Sequence, residues 1–122
     1  MRPIAVISDV HANLEAFTAV LDELARLGVD RIFSLGDMIG YGRDPEACLK
    51  LSEEVCELRL MGNHEFAIIH PELCRLSNPV AAQAINWTRD RLELTDLMYG
   101  LDLLSPHAQI DDWLFVHGSA RE

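Results

Sequence analysis

Three times within the first 65 residues an apolar run stops and a cluster of polar, ligand-type side chains follows at once. Ile4 to Ile7 gives way to Ser8-Asp9-Val10-His11, and Arg31 to Leu35 gives way to Gly36-Asp37. Val55 to Leu60 then runs through Met61 into Gly62-Asn63-His64-Glu65. The steps are 28 residues from Asp9 to Asp37 and 26 from Asp37 to Asn63. Short runs rich in Ile, Val and Phe read as buried strands. Between the first two, Leu14, Phe17, Val20, Leu21, Leu24 and Leu27 recur at the three- and four-residue spacing of an amphipathic helix. Asn13 suits its N-cap and Gly28 its stop. Strand, helix and strand within about 35 residues form a βαβ unit, whose strands are parallel and whose crossover is right-handed. The phase therefore constrains the chain to an α/β fold in which successive strands end side by side, where open sheets bind ligands. On a nearly extended chain, Asp9 and His11 point to one side.

The remaining segments fit around that frame. Met38 to Asp44, with Gly40, Tyr41 and Gly42, reads as a flexible collar, and Asp44-Pro45 opens a short helix carrying Ala47, Cys48 and Leu51. From Glu65 to Gly100 the pattern is helical. Asn78-Pro79 starts one helix with Ala81, Ala84, Ile85, Thr88 and Leu92 on its inner face, and Thr95 caps another that ends at Gly100. This region is assigned to packing. Ala108 to Ile110, a turn at Asp111-Asp112, and Trp113 to Val116 read as a β-hairpin running into His117-Gly118-Ser119. A fourth strand end thus presents a histidine. At 122 residues the chain is read as a single domain, residues 1–122.

Ten basic against 20 acidic residues give a formal charge of −10. That balance repels a phosphate backbone and argues against nucleic acid as partner. A small anionic substrate remains compatible where bound cations reverse the field locally. No segment approaches the roughly 18 continuous apolar residues of a membrane span, and the N-terminus lacks a signal-peptide pattern, so a cytoplasmic location is expected. Cys48, Cys56 and Cys74 are odd in number and lack C-x-x-C spacing, which favours small buried hydrophobes over disulfides or a thiolate metal site. His70 and His107 read as surface residues, Trp87, Trp113 and Phe115 as core or interface, and Tyr41 and Arg43 as a solvated loop, with contact to substrate as their alternative.

Asp9, His11, Asp37, Asn63 and His117 together bring carboxylate, amide and imidazole donors from four strand ends. Such a set suits manganese, iron, zinc or nickel better than calcium. Two such ions about 3.5–4 Å apart can share one carboxylate and activate a water for attack on phosphorus. Asp37, from the middle strand, is the natural bridge; a helix cap is its structural alternative.

Asp9-x-His11, Gly36-Asp37, Gly62-Asn63-His64 and His117-Gly118 resemble, in order and spacing, the signature blocks of the calcineurin-like metallophosphoesterases. Ser-Asp-Val-His-Ala-Asn-Leu-Glu-Ala and Gly-Asp-Met-Ile-Gly-Tyr-Gly are similar to the small prokaryotic phosphodiesterase branch. The resemblance implies an αββα sandwich, of which this chain would carry the N-terminal part: a first βαβαβ sheet with covering helices and the start of a second sheet. It implies Asp9 and His11 on a first divalent ion, Asn63 and His117 on a second, Asp37 bridging, and His64 facing substrate as a catalytic acid beside Asp37. Imidazole chemistry fits that last role.

Two departures accompany the resemblance. Glu65 stands where the family commonly has Asp, which bears on how a carboxylate could orient His64. The family's later Gly-His-x-His block does not occur after His117 in these 122 residues. The expectation is an incomplete second metal shell and impaired hydrolysis, with the terminal hairpin exposing an edge prone to self-association. A non-catalytic scaffold on the same fold is the alternative function.

Overall fold

The computed structural model describes residues 2–73 and 78–119. Cys74, one of the three cysteines, lies outside the described residues. Strands β1 (Ile4–Ile7), β2 (Arg31–Ser34) and β3 (Leu58–Arg59) form one parallel sheet in the order β1-β2-β3. Ile4 pairs with Arg31 and Ile7 with Ser34, while Phe33 pairs with Leu58. Helix α1 (Leu14–Arg26) crosses from β1 to β2, and α2 (Pro45–Val55) from β2 to β3. The expected βαβ phase is therefore observed.

Three local readings need correction. The third strand is shorter than Val55 to Leu60, because α2 continues through Val55 and only turns extended at Cys56. Pairing survives on either side of β3 through backbone bonds from Glu57 to Ile32 and from Leu60 to Ser34. The first strand is not buried on both faces. It is the sheet's edge, and Val6 is 50% exposed. Along α1, Phe17 is buried as the periodicity requires, but Val20 and Leu27 are exposed. A helix at the rim of a narrow sheet has cover for only part of its apolar stripe.

Helices α3 (Asn63–Ile69), α4 (Pro79–Leu92) and α5 (Leu97–Leu101) follow, with a 3-10 turn at Pro71–Leu73. Ala81, Ile85, Thr88 and Leu92 are buried on α4, as their spacing predicts. Asn78 caps that helix by accepting from Val80 N at 2.9 Å. Thr95 Oγ1 accepts from Leu97 N at 3.1 Å and so starts α5. Phe17, Ile39, Cys48, Ile68, Ile85 and Leu92 meet in one core under these helices. Arg89 ties α4 to the last turn of α3, its guanidinium donating to the carbonyls of Ile68 (2.9 Å) and Ala67 (3.1 Å).

Strands β4 (His107–Ile110) and β5 (Trp113–Val116) form the expected antiparallel hairpin. Phe115 meets Phe33 of the first sheet edge-on, with ring centroids 5.1 Å apart. Helices thus cover one face of the parallel sheet and a second sheet begins on the other, the layering of the metallophosphoesterase fold. Among the described residues no helix is long and apolar enough to cross a membrane.

Candidate metal centre

Beyond the ends of β1 and β2 the two chains keep bonding, from Asp9 N to Gly36 O and His11 N to Asp37 O, both at 3.0 Å. This zipper brings Asp9, His11 and Asp37 together. The chain is not extended here, contrary to the sequence reading. Asp9, His11, Ala12 and Asp37 all have φ between 50° and 59°. Asp and His tolerate the left-handed region better than most residues, whereas Ala12 is strained there. Nor is the following loop a loose collar. Gly42 N donates to His11 O at 3.0 Å and Asp44 N to Ala12 O at 3.1 Å, so the loop is pinned along the Asp9–Ala12 turn. A Cβ on Gly40, which has φ +94°, would overlap His64 Nδ1.

Asp37 is 3% exposed. Its Oδ1 accepts the backbone N–H of His64 at 2.9 Å, so it caps the start of α3, where the helix dipole favours an anion. Glu65, fully buried on the same turn, returns the tie. Its Oε1 accepts from Asp37 N (2.7 Å) and Gly62 N (3.1 Å). The carboxylate one place beyond the Asn63-His64 pair therefore holds two backbone segments rather than the His64 ring. A Cβ on Gly62 would overlap Asp37 Oδ1, which is why glycine stands at that crossing.

The imidazoles are aimed by backbone carbonyls. His11 Nδ1 lies 3.1 Å from Ile39 O, and His117 Nδ1 lies 2.8 Å from Leu35 O. A carbonyl only accepts, so each Nδ1 carries the proton and each Nε2 keeps a lone pair turned inward. His11 Nε2 is 3.4 Å from Asp9 Oδ1 and 3.9 Å from Asp37 Oδ2. His117 Nε2 is 3.3 Å from Asp37 Oδ2. The Asn63 amide lies 2.9 Å from His117 Nε2, and with its nitrogen turned inward it also lies 2.9 Å from Asp37 Oδ2. The Asn63 amide thus donates into the gap between His117 Nε2 and Asp37, whereas the approach of His11 Nε2 to Asp9 Oδ1 calls for a proton or a cation between them.

Two donor groups result, His11–Asp37–His64 and Asp9–Asp37–His117, with the ligand atoms of each within 4.8 Å of one another. All six sequence-selected residues come together. The grouping adds His64 beside His11 and sets Asp9 beside His117. Burial works to raise the Asp9 carboxyl, but the Ser8 hydroxyl and the imidazoles of His117 and His11 outweigh it and leave it lowered. Burial also lowers the His64 imidazole against the pull of Asp37, and its Nδ1 has no partner. Burial pushes the Glu65 carboxyl up to about 7.

Comparison with known proteins gives the family. The model of the calcineurin-like phosphoesterase family matches residues 2–121. The chain belongs to that family. An uncharacterized protein of Methanocaldococcus jannaschii is 40% identical over 96 residues, covering 79% of this chain and 40% of the relative. The crystal structure of a metallophosphoesterase from Sphaerobacter thermophilus superposes with a TM-score of 0.80 at 43% identity, covering 98% of this chain and 47% of that one. The chain therefore spans less than half the length of these two relatives.

Sequence reasoning did not foresee the role of two members of the site. Glu65 was visible as a third-position helix acid, the place from which a carboxylate reaches back to the cap. Its second partner, Asp37 N, lies across the sheet and leaves no local signal. Tyr41 read as a solvated loop residue with substrate contact as its alternative; it is half exposed, and its ring sits 5.1 Å from His11 and 4.8 Å from His64.

Proposed function

We propose that the centre binds two divalent cations of the manganese, iron, zinc or nickel class and hydrolyses a phosphodiester or nucleotide ester. By the family resemblance Asp9 and His11 would hold one ion and Asn63 and His117 the other, with Asp37 shared, whereas the donor groups in the structure set His64 beside His11 and Asp9 beside His117. The observation that carries this reading is Asp37, whose buried carboxylate belongs to both donor groups. The fit of the site rests on its donors: the Asp9 and Asp37 carboxylates converge with the inward-turned Nε2 atoms of His11 and His117. Bound there, paired cations supply Lewis acidity to a phosphoryl oxygen and to the attacking water.

The chain's own residues orient and transfer. Ile39 O and Leu35 O fix the tautomers of His11 and His117. Glu65 and the first turn of α3 hold Asp37 from opposite sides. In hydrolysis the water oxygen bonds to phosphorus, the ester P–O bond breaks, and a proton ends on the leaving oxygen. His64, grouped with His11 and Asp37, is the residue proposed to pass that proton. For the 122-residue chain by itself, weak occupancy of the second position and slow turnover are part of the proposal.

Hydrolysis of an aryl phosphodiester with added manganese, compared between the wild-type chain and Asp37→Asn, tests it. Manganese-dependent turnover that falls at least a hundredfold in the variant is the expected result. Equal rates, or none in a chain that also ignores manganese, would instead indicate a scaffold without catalysis.

A further inference from the structure

Beside the centre lies a cavity of about 510 Å³, lined by Asp9 and His11 on one side and by Asn13, Glu15, Tyr41 and Arg43 on the other. That volume lies within the range of about 300–1,000 Å³ that holds small organic ligands. Tyr41 shapes it in an unusual way. Its φ is +64°, in the left-handed region that bulky side chains avoid, and Gly40 and Gly42 flank it. Asn or Gly would occupy this position without strain. The tyrosine ring is nevertheless kept, 53% exposed, with its inner side against the imidazoles of His11 and His64. Backbone strain of this kind clusters at ligand sites.

The charges indicate what the cavity receives. Arg43 already pairs with Glu15 at 2.6 Å and with Asp44 at 3.5 Å, and Asp9 adds a further negative charge. A second phosphate finds no unpaired cation among these lining residues. A planar, uncharged group fits better, and the Asn13 amide and the Glu15–Arg43 pair suit the heteroatom edge of a base. We propose that the cavity is a nucleoside subsite, with Tyr41 as the platform for the base of a nucleotide ester whose phosphoryl group lies at Asp37. The proposal rests on the phosphoesterase reading for the position of the phosphate, but the platform itself needs no metal.

Calorimetry on the 122-residue chain with manganese compares adenosine 5′-monophosphate with ribose 5-phosphate. In parallel, proton NMR of the Tyr41 ring follows adenosine in the presence of a chelator. Stacking of a base on an aromatic ring predicts a preference for the nucleotide on the order of tenfold. Tyr41→Phe should keep this preference. Tyr41→Asn should lose it while unfolding at the same temperature or higher, because the backbone strain is relieved. A wild-type chain that binds both phosphates alike would overturn the subsite, as would a Tyr41→Asn chain weakened equally for both. If manganese brings neither phosphate to the chain while adenosine still shifts the Tyr41 ring, the subsite is supported and the phosphoesterase reading fails.

Discussion

Glu65→Gln in the metal-free protein probes the tie between the strand end and helix α3. The carboxyl rises from its ordinary 4.5 to about 7 because it is buried, with Oε1 bonded to two backbone N–H groups and Oε2 without a partner. Below pH 4.5 the group is protonated both folded and unfolded and costs nothing. Between 4.5 and about 7 the unfolded chain ionises while the folded chain retains its proton, so stability falls as pH rises. The gap of about 2.5 units corresponds to roughly 3 kcal/mol, fully lost above pH 7. His64 works in the opposite sense, since its lowered value makes the folded state gain stability as pH climbs through the histidine range. The difference between wild type and Glu65→Gln removes that contribution. Gln retains the accepting oxygen and places a buried amide nitrogen where Oε2 stood, at a cost of about 1–3 kcal/mol that does not vary with pH. Urea unfolding at pH 4.5 to 8 in a chelating buffer should therefore show the variant gaining about 3 kcal/mol on the wild type across the range. Parallel pH profiles for the two proteins would refute the assignment.

Other substitutions address the rest of the frame. Gly40→Ala places a methyl group on His64 Nδ1 at φ +94°, and should cost about 1–3 kcal/mol in chemical denaturation while displacing the His64 ring signals in NMR. Arg89→Ala removes the guanidinium from the Ile68 and Ala67 carbonyls, and thermal unfolding should register a loss of about 1.5–3 kcal/mol. Asn13→Ala deletes the oxygen that accepts from Ala16 N at 3.1 Å, and about 1 kcal/mol of stability should go with it in the same assay.

The order of elements was legible because hydrophobic period and turn chemistry are local properties. The α1 and α4 stripes, the Asn78 cap and the hairpin turn at Asp111-Asp112 all declare themselves within a few residues. The gathering of Asp9, His11, Asp37, Asn63 and His64 was legible for a related reason, since parallel strands with similar crossovers end together, whereas His117 follows an antiparallel hairpin of a separate sheet and was joined to them by the order and spacing of the family's blocks. Depth of burial was not. Whether β1 is central or an edge depends on which strands pair outside it, and its own Ile and Val residues carry no trace of that. The left-handed turn at Asp9 to Ala12 was equally hidden, because it is imposed by bonds to Gly36, Asp37 and Met38 more than 25 residues away. Tyr41 looked like a solvated loop residue because nothing in Gly-Tyr-Gly announces two imidazoles behind its ring.

Electron paramagnetic resonance of manganese titrated into the wild-type chain and into Asp37→Asn tests the shared carboxylate most directly. The account predicts two ions per chain at saturation with a spin-coupled spectrum, and loss of that coupling in the variant. A single uncoupled ion, or a spectrum unchanged by removal of the Asp37 charge, would contradict it.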